Sequence, residues 1–383
     1  MTLYAISDLH LDERGEARLF ADDRQGRQLA ELCARIARDD GAELILLGDC
    51  FDFTAMQPPP KGLERFFKTL EVPREPPPRR ALPALLAAVR ESNPVAFEAL
   101  AQLSQRAQLT IVPGNHDHHL AAPEALQLLA AHGVRARIER SCVRRLGEKT
   151  VVLQHGHELD DGNEHPGGSG EVMTNALHQA VIPWLRHKGA PPNVRMDPDR
   201  IVALRPEEAV ITVLQRWTDE DGFRRFFRAF LRLLAENGYL PRPVGFLAGY
   251  VSANRVRAAV DKADRLWERT AVRAFEALKG ERKLAHDAPR PDALVLGHTH
   301  VIDWAVVEDR LYVNLGTWTE RAIDASSPQD RSMPLLQLDG ADGGLRASLS
   351  DLSRAGEELQ RYQGSRVQSS TDKSLKASIR RPR

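Results

Sequence analysis

Short apolar runs recur along the chain, and five of them end in a polar cluster. Leu3–Ile6 runs into Ser7-Asp8-Leu9-His10, and Leu44–Leu47 runs into Gly48-Asp49-Cys50-Phe51-Asp52. Leu109–Val112 precedes Pro113-Gly114-Asn115-His116-Asp117, Val151–Gln154 precedes His155-Gly156-His157, and Ala293–Leu296 precedes Gly297-His298-Thr299-His300. Such short runs with polar stops read as buried strands. Between the first two, Arg27–Asp39 sets Leu29, Leu32, Cys33 and Ile36 at helical spacing. Strand, helix, strand opens an α/β layered fold, in which functional groups gather at strand C-termini. Ala96–Arg106 and Pro123–His132 read as further helices, the second with proline at its start. Trp304–Val307, Leu311–Leu315 and Leu335–Leu338 read as later strands.

Two stretches interrupt this pattern. From Met56 to Pro94 prolines crowd the chain, with triplets at Pro58–Pro60 and Pro76–Pro78 and others at Pro73, Pro83 and Pro94. Neither a sheet nor a long helix is expected there, only a surface excursion or a flap with a short helix at Leu63–Lys68. The second interruption, 158–291, separates the fourth polar cluster from the fifth. It begins with a Gly-rich loop from Asp160 to Gly170 and continues as helices over Val172–Arg186, Pro206–Arg216, Gly222–Asn237 and Phe246–Lys279, which reads as a helical cap. Within it, Phe223–Leu234 collects aromatic and aliphatic residues on one face, with four arginines largely off it. Burial of that face within the cap is one reading, and contact with an anionic bilayer or an acyl chain is the other. Residues 1–157 and 292–350 then form the two parts of a core, and the basic tail 351–383 is expected to be disordered.

At 383 residues the chain exceeds what one compact catalytic core needs, which fits a core with large insertions. Its formal net charge is zero, so no global basic field argues for nucleic acid. Three cysteines without a C-x-x-C pair fit a reducing compartment. The residues before Asp8 do not resemble a signal peptide, and no apolar run approaches the ~18 residues of a spanning helix. A cytoplasmic protein is expected, with peripheral contact at the inner membrane through the cap as the only membrane association considered.

The polar clusters offer carboxylate, amide and imidazole donors with no thiolate among them. That set suits a pair of hard or borderline divalent ions better than a structural zinc. In order and type the clusters resemble the signature blocks of the calcineurin-like metallophosphoesterase superfamily: D-x-H, G-D-x-x-D, G-N-H-D/E, a histidine before glycine, and G-H-x-H. The phrases Ile6–Leu11 and Leu47–Asp52 are similar to the branch containing UDP-2,3-diacylglucosamine hydrolase, which has arginine where this chain has His116 and aspartate where it has His157.

The resemblance implies an α/β/β/α sandwich with a helical cap insertion and two divalent ions, Mn first, with Fe, Zn or Co as the other choices. By the same resemblance Asp49 bridges the ions. Asp8, His10 and His300 complete one shell, and Asn115, His155 and His298 the other, with His155 preferred to His157 because it directly follows the strand. His116 would act on the leaving-group oxygen, with Asp117 holding its other ring nitrogen. Asp52 is either a similar support or a cap for its turn, His118 and His119 are expected to be exposed, and Asn314, Gly316 and Trp318 would brace the site. The implied activity is hydrolysis of a phosphate mono- or diester by a metal-bridging hydroxide, on a phosphorylated small-molecule or lipid-linked substrate. A pyrophosphatase acting on a lipid-nucleotide and a nuclease are the alternatives. A non-catalytic scaffold would be expected to have lost ligands, and none is lost here.

Overall fold

A computed structural model describes residues 1–13, 19–189, 191, 201, 209–238, 266–284, 290–319, 332–341, 344–363 and 366–369. Two sheets stack face to face between helical layers. The first contains β1 (Thr2–Ile6), β2 (Glu43–Leu47), β3 (Gln108–Val112) and β4 (Arg137–Ile138), all parallel. It continues antiparallel from β1 through β10 (Pro334–Ala341), β11 (Gly344–Asp351), β12 (Glu357–Gln363) and β13 (Arg366–Ser369). The second sheet runs in the order β5 (Cys142–Leu146), β6 (Lys149–Leu153), β7 (Ala293–Leu296), β9 (Arg310–Leu315) and β8 (Ile302–Val307), with β6, β7 and β9 parallel.

Alternation along the strands decides which layer each side chain joins. Leu3, Ala5, Ile45, Leu47 and Val112 point between the sheets, where they meet Val151, Leu153, Val295 and Val313. Their neighbours Tyr4, Ile6, Leu44, Leu46 and Ile111 point outward, under α1 (Arg27–Ile36), α3 (Leu82–Ser92), α4 (Pro94–Leu103) and α5 (Ala125–Ala131). On the far side Val152, Leu294, Leu296 and Tyr312 pack beneath α10 (Leu266–Lys279) through its Ala271, Ala274, Ala277 and Leu278. The four-layer α/β/β/α sandwich is therefore present.

The excursion at 56–94 is more helical than its prolines suggest. α2 spans Leu63–Thr69, and α3 runs for 11 residues. Pro83 and Pro94 occupy the first turns of α3 and α4, where a missing N–H costs nothing. Nor is the excursion separate from the insertion. Leu63, Phe66 and Phe67 of α2 share one apolar cluster with helices of the insertion: α6 (Ser169–Ala176), α7 (Ile182–Lys188), α8 (Ala209–Trp217) and α9 (Glu220–Glu236). One π-helical turn, Leu177–Val181, joins α6 to α7.

Helix α9 answers the question posed by its amphipathic pattern. Phe226, Ala229, Phe230, Leu233 and Leu234 are buried in that cluster, and Phe226 stacks on Trp184 at 4.2 Å between ring centroids. Arg224 and Arg232 instead pair with Glu220 and Glu236 on the exposed side. Its principal apolar face is thus used by the protein itself. No described helix is long and apolar enough to cross a membrane.

Two further expectations change. α10 lies inside the stretch read as cap, yet it packs on the second sheet and belongs to the core. The tail beyond 351 was expected to be disordered, but β12 and β13 extend the first sheet there, because Leu359 and Tyr362 turn inward between the sheets. Residues 370–383, 206–208 and 246–265, which carried parts of the tail and helix expectations, lie outside the described residues.

Phe226→Ala is expected to lower stability by ~3–5 kcal/mol, read by urea unfolding with Trp184 as the fluorescent reporter. A loss below ~1 kcal/mol would mean that the cluster joining the excursion to the insertion does not depend on this ring.

Candidate metal centre

All five polar clusters converge at the C-terminal ends of β1, β2, β3, β6 and β7. The chain reaches the site through unusual backbone: Asp8, His10, Asp49, His298 and His300 all have positive φ, between 49° and 70°. Such conformations cost about 1–3 kcal/mol each for non-glycine residues and are retained where the surroundings enforce them. Backbone bonds from Asp8 N to Gly48 O at 3.0 Å and from His10 N to Asp49 O at 2.8 Å tie the first two clusters together. The adjacent glycines are spatial requirements. A Cβ at Gly48 would lie 2.1 Å from His155 Nδ1, and one at Gly114 would lie 2.2 Å from Asp49 Oδ1.

Two donor groups form around Asp49. One gathers Asp8, His10, Asp49 and His300, the other Asp49, His155 and His298, with the donor atoms of each within 4.8 Å of one another. Asn115 joins the second, its Oδ1 lying 3.2 Å from His155 Nε2. All seven expected ligands therefore meet in two half-sites that share Asp49. His157 stays outside: burial holds its imidazole down at about 4, and its Nδ1 has no hydrogen-bond partner.

The donor atoms fit cations better than they fit one another. His155 Nδ1 lies 3.0 Å from the Leu47 carbonyl, an acceptor only, so this nitrogen carries the proton. In the neutral ring Nε2 is then a lone pair, yet it faces Asp49 Oδ2 at 3.1 Å and Asn115 Oδ1 at 3.2 Å. Burial alone would favour the neutral ring, but the Asp49 carboxylate outweighs it and pushes His155 up to about 10. A second proton on Nε2 and a bound cation would answer the same need. The other half-site is as crowded. His10 Nδ1 faces Asp52 Oδ2 at 3.1 Å, which leaves Nε2 to accept from His300 Nε2 at 3.1 Å. Asp8 Oδ1 lies 3.1 Å from His300 Nε2 but makes no aligned hydrogen bond and is fully buried. Lone pairs crowded on His155, Asp49 and Asn115, and a buried carboxylate without an aligned donor, are what a divalent ion resolves.

His116 and its support depart from expectation. Its Nδ1 lies 2.7 Å from Asp52 Oδ1, and its backbone N donates to Asp49 Oδ1 at 2.8 Å. The carboxylate that holds the ring is therefore Asp52, which at the same time fixes His10. Burial would protonate Asp52, but His116 and His10 hold it well below the usual carboxylate range. Asp117 instead accepts from the backbone N of Cys50, Phe51 and Gly114 at 2.8, 3.2 and 2.6 Å. It joins the second and third clusters, and burial together with the nearby Asp49 pushes its carboxyl up to about 6. From the sequence Asp117 was the closer carboxylate; folding brings Asp52 to the ring and turns Asp117 onto backbone.

Other neighbours complete the frame. His118 and His119 are half-buried rather than exposed, stacked at 4.1 Å, with His118 Nδ1 3.0 Å from the Asn115 carbonyl. Cys50 is a buried packing residue. Asn314 Nδ2 donates to the Gly297 carbonyl at 2.7 Å, Gly316 receives the Ser7 hydroxyl at its carbonyl, and Trp318 N donates to the Asp8 carbonyl at 3.2 Å. Sequence reading missed Thr317, whose hydroxyl donates to the Asp8 carbonyl at 2.9 Å. It also missed Asp160 and Asn163, which contact His298 and Asn115. Their one signal was position, in the polar loop directly after the fourth cluster.

The fold and the site define a class: an α/β/β/α sandwich with a two-part candidate cation centre at its strand ends. A family model described as calcineurin-like phosphoesterase matches residues 1–302, and the chain belongs to that family. Similar solved structures include a predicted phosphoesterase from Streptococcus pneumoniae, 11% identical over 94% of this chain and 97% of the other, with a TM-score of 0.32. A zinc-complexed Vps29 from Entamoeba histolytica is 11% identical over 95% and 99%, with a TM-score of 0.33. A dimetal phosphatase from Danio rerio is 11% identical over 96% of each chain, with a TM-score of 0.32. No curated protein matched the sequence.

Asp49→Asn is expected to strip metal from both half-sites together, seen as loss of Mn²⁺ by elemental analysis of the purified protein. Metal content equal to that of the wild type would remove Asp49 as the shared ligand.

Proposed function

We propose that the chain is a metal-dependent phosphoric ester hydrolase acting on phosphate mono- or diesters. The observation that supports this most is the pair of half-sites sharing Asp49, with His116 beside them on an ionised Asp52. Asp8, His10, Asp49 and His300 would hold one divalent ion, and Asp49, Asn115, His155 and His298 the other. The oxygen and nitrogen donors suit Mn²⁺, Fe, Zn²⁺ or Co²⁺, with Mn²⁺ the first to test. Such ions polarise a phosphoryl group and lower the pKa of water enough to make hydroxide near neutral pH.

The chain's own residues then have separable tasks. Asp52 accepts from His116 Nδ1, sets the ring's orientation and favours its imidazolium form, in which Nε2 would carry the proton given to the departing oxygen. Asp117 keeps the loops of Asp49 and Asn115 in register by clamping three backbone N–H groups. Burial of Asp8, Asp49 and His155 keeps bulk water from screening the charges that act on the substrate.

On substrate, a general phosphoesterase is the better-supported reading. The lipid-nucleotide branch draws on two sequence phrases, and the helix that suggested an acyl-chain partner spends its principal apolar face on Trp184 and Phe66.

The deciding assay is hydrolysis of p-nitrophenyl phosphate, bis-p-nitrophenyl phosphate and a UDP-diacylglucosamine, with Mn²⁺ and with chelator. Mn²⁺-dependent turnover of a simple ester is expected, abolished by chelator; inactivity on all three substrates would overturn the proposal. His116→Ala is expected to keep its Mn²⁺ and lose ~10²–10⁴-fold in kcat. Unchanged turnover would exclude His116 as the proton donor.

A further inference from the structure

The polar loop after the fourth cluster reaches into one half of the centre. Asp160, 8% exposed, accepts at Oδ2 from both His298 Nε2 at 2.9 Å and Asn163 Nδ2 at 2.7 Å. A carboxylate only accepts, so Nε2 of His298 carries the proton and Nδ1 is left as the ring's lone pair. Asn163 Oδ1 in turn accepts from Asn115 Nδ2 at 3.3 Å. That bond settles which way the Asn115 amide points, with its oxygen turned to His155 and its nitrogen away. A chain of three hydrogen bonds thus selects the ligating atom of an imidazole and of an amide.

The loop itself is held from two sides. Gly162 N donates to Asp160 Oδ1 at 3.0 Å, and Gly170 N to the Gly162 carbonyl at 3.0 Å. Gly170 leaves room for Asn163, since a Cβ there would fall 1.7 Å from its Oδ1. From α10, Arg273 donates through Nη1 to the Leu159 carbonyl at 2.7 Å and through Nη2 to Asp161 Oδ2 at 2.6 Å.

We propose that Asp160 and Asn163 are positioning residues for the half-site of Asn115, His155 and His298, and that the loop bearing them sets this half-site independently of the other. The inference rests on the metal-dependent phosphoesterase reading and adds to it: the two ions are supported unequally. Asp8 and His10 are held by Asp52, Thr317 and Trp318, which belong to the sandwich and its tight turns. Asn115 and His298 depend in addition on a loop that begins the insertion.

The test compares the full-length wild type with Asp160→Ala, Asn163→Ala and Gly170→Ala, each confirmed as folded by circular dichroism. Mn²⁺ is titrated by calorimetry, and the bound ions are examined by electron paramagnetic resonance. The wild type is expected to bind two ions and show a coupled-pair spectrum. Each variant is expected to keep one ion at wild-type affinity, bind the second ~10–100-fold more weakly, and show an isolated-ion spectrum at one equivalent. Gly170→Ala touches no ligand and displaces Asn163, so it and Asn163→Ala decide the matter should Asp160→Ala fail to fold. Asp160→Asn, which retains an acceptor oxygen, is expected to restore part of the affinity. If the wild type binds two ions and every folded variant binds both equally well, or loses both in parallel, the positioning role is overturned while the phosphoesterase reading stands. If the wild type binds no Mn²⁺, both fall.

Discussion

Buried hydrogen-bond acceptors that face one another without enough protons to share dominate this structure. His155 Nε2 meets Asp49 Oδ2 and Asn115 Oδ1, and the buried Asp8 carboxylate lies beside His300 Nε2 with Asp49 nearby. A buried arrangement of this kind is costly unless positive charge enters it. The Asp49 carboxylate favours a second proton on His155, and divalent ions would satisfy both half-sites at once. The left-handed backbone at five of these positions belongs to the same design, since each turn aims a side chain that an ordinary strand end would direct elsewhere.

The sandwich supplies the rigidity that such strain needs. Both sheets bury one face on the other and cover the opposite face with helices, so every strand carrying a ligand is fixed on both sides. Two parts that look peripheral in sequence help as well. The proline-rich excursion joins the insertion in one aromatic cluster, and Asn175 and Gln179 of the insertion donate at 2.6 Å to the carbonyls of Thr54 and Ala55, just after Asp52. The turn that steadies His116 is therefore braced by the cap as well as by the core.

Much of this was legible in the chain. Apolar runs closed by polar residues located β1, β2, β3, β6 and β7, because a strand buried on both faces needs an uninterrupted apolar run. The candidate donor set was legible for a related reason: histidine, aspartate and asparagine in glycine-flanked clusters make little sense as core or as surface. Less visible were β5, β11 and β12, whose alternating polar residues resemble loop until Leu345, Leu349, Leu359 and Tyr362 are seen to share a buried face. α3 was obscured by prolines that in fact begin it and its neighbour α4.

The sequence by itself determined the donor types of the candidate centre and their order along the chain, since donor type and strand-end position are local properties. It could not assign the supports. Asp52 and Asp117 lie at comparable sequence positions within their clusters, and only the side-by-side packing of two parallel strand ends sends one to the His116 ring and the other to three backbone N–H groups. Asp160 and Asn163 reach His298 and Asn115 across 138 and 48 residues of chain. Whether the apolar face of α9 meets lipid or protein was likewise undecided until Trp184 and Phe66 were seen against it. In each case the deciding contact joins residues far apart in the chain, and such contacts exist only once the layers have packed.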